Sequence, residues 1–238
     1  MDTAAKPKLT EQAAPVRKRT HGMQPHTQAH AQEEDNRIVL DGISWEQYEQ
    51  LQQVFEGRHI RLTYDEGLLE IMTTGFLHEG EKQITGRLLE LMSLELDIPI
   101  AGFGGMTWKR KFLEKGLESD ECYFVKNEPA TRNLAEFDDQ KLVPDLVVEI
   151  EVSRRLGIRR GIYAALQVPE LWCFDGEVLT ILHLTGEKRY QEQSHSLNFP
   201  FLAASDLQQF LLMRKTVGEH QTLREFQKWV RETHGGKR

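Results

Sequence analysis

Three carboxylates stand close together in the segment Pro144-Asp145-Leu146-Val147-Val148-Glu149-Ile150-Glu151-Val152. In a β-strand, side chains alternate between faces, so Asp145, Val147, Glu149 and Glu151 are expected on one side and Leu146, Val148, Ile150 and Val152 on the other. The second set is wholly apolar, as a central strand requires. Burying a carboxylate is costly without a partner, so a row of them on one face calls for cations, hydrogen bonds or a bound metal. Oxygen-rich sites of this kind suit Mg2+ or Mn2+. Such an ion holds a phosphate, lowers the pKa of water and stabilises a leaving oxygen. A cation near the attacking water completes that set, and Arg159 and Arg160 follow on a helical segment, with Arg154 and Arg155 before it. The same residues allow a second reading. They also read as a solvated strand face on which Arg154 or Arg155 pairs with the glutamates, at about 0–1 kcal/mol a pair.

The elements that must position these groups are legible as a mixed α/β pattern. Ser44-Trp45-Glu46-Gln47 has the form of a capping box, opening a helix with Trp45, Tyr48, Leu51 and Phe55 on one face. Ile60–Tyr64 and Leu68–Met72, separated by Asp65-Glu66-Gly67, predict a β-hairpin. Ile84, Leu88, Leu91, Met92 and Leu96 recur at helical spacing, which predicts a helix over 78–96. Short strands are expected around Ile98 and Ile100 and over 107–111, with glycines 102, 104 and 105 in the turn between them. Glu121–Val125 and Leu146–Val152 are the two strands nearest the acids, separated by a polar loop over 126–142. A helix over 159–166 leads through Val168-Pro169-Glu170 into Leu171–Phe174. Asp175-Gly176 then marks a hairpin turn. Two helices, over 207–213 and 223–230, close the chain. A mixed central β-sheet flanked by helices is the fold class this order implies.

At 238 residues the chain suits one sizeable α/β domain with tails. Residues 1–36 hold Pro7, Pro15 and Pro25 among Gln, Thr, Ala and charges of both signs, which predicts a disordered tail. The domain is expected over 37–213, with a C-terminal helix and tail over 214–238. The formal net charge of −7 argues against a surface coated in positive charge for non-specific nucleic-acid binding. It leaves room for a local basic groove around an acidic centre. Cys122 and Cys173 have no metal-ligand spacing and are expected as buried free thiols in a reducing cytoplasm. No apolar run has the form of a signal peptide or a membrane span.

The segment 144–150, followed by Ile162-Tyr163-Ala164-Ala165-Leu166-Gln167-Val168-Pro169-Glu170-Leu171-Trp172, resembles the Uma-two signature. That signature reads PDLVVE, then a helix ending in Tyr, then GVPE and an aromatic. Leu117–Tyr123 is similar to the family's first strand, with Ser119 where proline is usual, and His78-Glu79 matches the head of its first core helix. The resemblance spans residues 44–213. It implies the restriction-endonuclease-like PD-(D/E)XK fold, metal-dependent hydrolysis of DNA phosphodiesters with Mg2+ or Mn2+, and a homodimer. By position, it makes Asp120 and Glu149 the metal ligands and places Glu151 in the slot of the motif's lysine. Arg159 stands where this family commonly carries that lysine on the following helix. Asp145, His78 and Glu79 are further candidates. Arginine in place of lysine is the main departure, because a guanidinium stays protonated and is a poor base.

Overall fold

The computed structural model describes residues 36–133, 142–151 and 157–235. The expected N-terminal tail up to residue 35, most of the second half of the polar loop, and Val152, Arg154 and Arg155 lie outside the described residues. The chain runs β1 (Asn36–Leu40), α1 (Trp45–Phe55), β2 (Ile60–Asp65), β3 (Leu68–Thr73), α2 (Phe76–Leu96), β4 (Ala101–Gly104), β5 (Thr107–Arg110), β6 (Lys115–Glu118) and β7 (Glu121–Phe124). It continues through β8 (Leu146–Ile150), α3 (Gly157–Leu166), β9 (Glu170–Phe174), β10 (Leu179–Leu184), β11 (Tyr190–Gln193), α4 (Ala204–Val217) and α5 (Glu219–Thr233).

The fold is mixed α/β, and its strands form two sheets where the sequence suggested one. A six-stranded sheet has the order β11-β10-β9-β8-β7-β4. Among the described residues, only β8 and β9 pair in parallel, with α3 as their crossover. A smaller, antiparallel sheet has the order β1-β3-β2-β6-β5. The hairpin of β2 and β3 forms in register from Ile60↔Thr73 to Asp65↔Leu68. The capping box is present in full, with Ser44 and Gln47 each accepting from the other's backbone.

Some elements differ from expectation. The strand expected around Ile98 and Ile100 begins at Ala101, because Asp97 ends α2 in the left-handed conformation and Ile98 bonds back to Ser93. β6 has no alternating apolar signal. It carries Gly116, whose missing side chain leaves room for Tyr48. The polar loop contains a one-turn 3-10 helix, Glu128–Thr131.

Alternation along β8 partitions the large sheet as expected. Leu146, Val148 and Ile150 join Trp172, Phe174 and residues of α2, α4 and α5 in one cluster. Val147 joins Cys122, Phe124, Leu171 and the α3 residues Ile162, Tyr163 and Leu166 in the other. Glu149 shares this second face. Both cysteines are free and buried. Against the small sheet, α1 packs Trp45 and Tyr48 onto Leu62, Tyr64 and Leu69.

Candidate active site

β2 alternates Leu62 and Tyr64 toward α1, so Arg61 and Thr63 face the opposite way, toward the large sheet. The antiparallel register of β7 and β8, with Glu121 opposite Val148, brings Asp120 alongside Glu149. The amide of Ile150 donates to Asp120 Oδ2 at 2.7 Å, fixing the Asp120 carboxylate against β8. Asp120 and Glu149 are both buried.

Each of these acids meets an arginine. Arg61 forms an ion pair with Asp120 Oδ1 and lies 3.7 Å from Glu79. His78 Nε2 sits 3.1 Å from Asp120 Oδ2. Arg159 donates to both oxygens of Glu149, Nε to Oε2 at 3.1 Å and Nη2 to Oε1 at 2.7 Å. It donates further to Thr63 Oγ1 at 2.9 Å and to the Glu118 carbonyl at 2.6 Å. The hydroxyl of Tyr163, one turn along α3, also donates to Glu149 Oε1. Arg159 is 4% exposed, so its guanidinium is directed inward, at a carboxylate, a hydroxyl and a carbonyl.

Protonation follows from this packing. Burial opposes the charge on Arg159, but Glu149 outweighs it and holds its pKa above the ordinary value. Burial, reinforced by Glu149, keeps the Tyr163 phenol protonated. Glu151 lies at the edge of the network. Burial and the neighbouring Glu149 raise its pKa to about 7, against the pull of Arg159, Arg160 and Arg37. Burial would also raise Glu79, but the Thr74 hydroxyl, Lys82, Arg61 and His78 hold it below the usual range.

The sequence-derived candidates therefore divide. Asp120, Glu149, Arg159 and His78 come together, with Glu79 beside His78 (3.4 Å from its Nδ1) and Glu151 at the rim. Asp145 does not join them. β8 begins at Leu146, so Asp145 precedes the regular strand. It instead accepts from the amides of Val125 and Asn127 and from the Asn127 side chain at 2.8–2.9 Å, capping the turn after β7. The expected row of three carboxylates thus holds only Glu149 and Glu151. Sequence reading passed over Arg61, Thr63 and Glu70. Glu70 is buried in β3 and pairs with Arg37 at 3.2 Å. The available signal was an arginine and a threonine alternating with Leu62 and Tyr64 in a strand.

The donor chemistry of the two acids suits a hard divalent ion. Their arrangement does not. Both oxygens of each carboxylate already accept from or face a nitrogen or hydroxyl donor, and two guanidinium charges balance the two carboxylates. Among the described residues, no group of three or more His, Cys, Asp or Glu gathers as a metal site.

Comparison with known proteins gives a family match and a distant structural likeness. The family Uma2, described as "Putative restriction endonuclease", matches residues 45–213. No curated protein matches. Among solved structures, the chain is similar to "a putative nuclease belonging to DUF820" from Anabaena variabilis, at 15% identity, a TM-score of 0.44, and coverage of 63% of this chain and 91% of that one. No helix among the described residues is long and apolar enough to cross a membrane. The family match covers well over half of the sequence and takes in Arg61, Asp120, Glu149 and Arg159, and on that ground the chain belongs to the Uma2 family of restriction-endonuclease-like nucleases.

Proposed function

We propose that the protein is a DNA endonuclease that hydrolyses phosphodiester bonds, with Asp120, Glu149, Glu151 and Arg159 as its site. The observation that carries this reading is the side-by-side placement of Asp120 and Glu149 on adjacent strands, within reach of cationic side chains from β2 and α3. Hydrolysis needs a base for the attacking water and fixed positive charge for the developing phosphorane. Glu151, with its pKa near 7, suits the first role. Arginine suits the second. The Mg2+ or Mn2+ requirement and the homodimer implied by the resemblance, and the cytoplasmic setting expected from the free cysteines, belong to the same proposal.

The test is cleavage of supercoiled plasmid by the full chain with Mg2+, with Mn2+ and with EDTA. Slow nicking that EDTA abolishes and Glu149→Gln removes is the expected result. Absence of cleavage with any divalent ion overturns the reading. One observation favours a second reading, that of a nuclease-fold module that binds DNA without cutting it. Arg159 is closed onto Glu149 by two hydrogen bonds and is committed on its remaining nitrogen to Thr63. Retained DNA binding without cleavage is the outcome that selects it.

A further inference from the structure

We infer that Arg61 and Arg159 act as built-in counter-cations that keep divalent ions off Asp120 and Glu149 in the protein without nucleic acid. The inference rests on the nuclease reading only for the identity of the two acids.

The argument is one of charge and lone pairs. Two buried carboxylates on neighbouring strands repel each other and must be compensated. A divalent ion is one way to do so. This chain supplies another, from its own sequence. Arg61 reaches Asp120 from β2, and Arg159 grips Glu149 with a two-pronged contact from α3. Each pair is neutral, so a further doubly charged ion would find neither carboxylate uncompensated. The directional electrons are also taken. Asp120 Oδ2 accepts the Ile150 amide at 2.7 Å, and Glu149 Oε1 accepts both Arg159 and the Tyr163 hydroxyl.

The arginines are also held from behind. Arg159 is anchored by Thr63 at 2.9 Å and the Glu118 carbonyl at 2.6 Å, both in the small sheet. Arg61 has Glu79 as a second acid at 3.7 Å. Withdrawing either guanidinium therefore breaks contacts beyond the carboxylate that an ion would claim. An exposed lysine in the same place would lack such anchors and yield more readily.

The experiment is Mn2+ binding to the DNA-free full chain, read by calorimetry and by the shift of thermal midpoint at millimolar Mn2+. Wild type is expected to show no heat and no shift that Glu149→Gln removes, which controls for ions taken up by surface histidines. Arg159→Met leaves Glu149 uncompensated. It is expected to lower the midpoint without metal and to gain Mn2+ affinity by about tenfold or more, recovering midpoint as the ion replaces the lost charge. The gain should vanish in Arg159→Met/Glu149→Gln. Arg61→Met, which uncovers Asp120 instead, is read in the same way and carries the test where Arg159→Met does not fold. Mn2+ binding by DNA-free wild type that Glu149→Gln abolishes overturns the inference. So does a folded arginine variant with no gain. Neither result depends on plasmid cleavage, so the nuclease reading stands or falls separately.

Discussion

Glu151 illustrates how one side chain records its surroundings. It is partly buried, stands two residues from Glu149, and has a pKa raised from 4.5 to about 7 by burial and then by that neighbour. An acid whose folded-state pKa is raised binds its proton more tightly in the folded than in the unfolded chain. Folding is therefore favoured while the group is protonated, and that contribution is lost as pH rises from the unfolded value through about 7. Glu151→Gln removes the titration. The variant is expected to melt progressively higher than wild type as pH rises through this window, with the gap constant above it. Thermal midpoints of both proteins across pH 4–8 check this, and a gap that does not grow with pH removes the strained carboxyl from the account. Asp145 gives the contrary lesson. Its position in a family-like motif and its parity with Glu149 suggested a site residue, yet its carboxylate is consumed in capping a turn.

At the scale of elements, the sequence was most informative where one periodic signal dominated. The hairpin of β2 and β3, the apolar stripe of α2 and the alternation of β8 each follow from spacing alone. β6 was not legible, because its place depends on Gly116 fitting beneath Tyr48, a contact between residues far apart in sequence. The arginines of the site were hidden for the same reason. A strand pattern says that Arg61 faces away from Leu62 but not what it meets. The turn between α3 and β9 was anticipated, and its geometry supports a sharper expectation. Gln167 takes a φ of 64°, in the left-handed region, where the signature it resembles has glycine. A side chain there costs roughly 1–2 kcal/mol, partly offset by the added freedom of glycine in the unfolded chain. Gln167 is exposed, so little packing is lost. Gln167→Gly is expected to stabilise by about 1 kcal/mol in urea denaturation. Destabilisation would mean that Gln167 makes a contribution the turn geometry does not explain.

For the molecule as a whole, the buried arginines join its two sheets alongside the apolar contacts of Trp108 and Leu117. Arg61 leaves β2 of the small sheet for Asp120, beside β7 of the large one. Arg159 binds Glu149 of the large sheet and Thr63 and Glu118 of the small one. Thr63→Val keeps the shape of the side chain and removes one acceptor from a buried guanidinium. The expected cost is about 1–3 kcal/mol in equilibrium urea unfolding. An unchanged midpoint would show that the two sheets do not depend on this joint. These links also span long stretches of chain. Thr63 and Arg159 are 96 positions apart, and His78 and Asp120 are 42 apart. The small sheet itself is gathered from β1 and two hairpins, the hairpins separated in sequence by α2 and β4. Closing such separations is slow compared with forming a helix or a single hairpin. The cluster of acids and arginines thus cannot close until Arg159 meets a strand residue 96 positions before it. A chain still emerging during synthesis has its acids but not the helix that closes over them, so competence arrives with the finished fold and not before it.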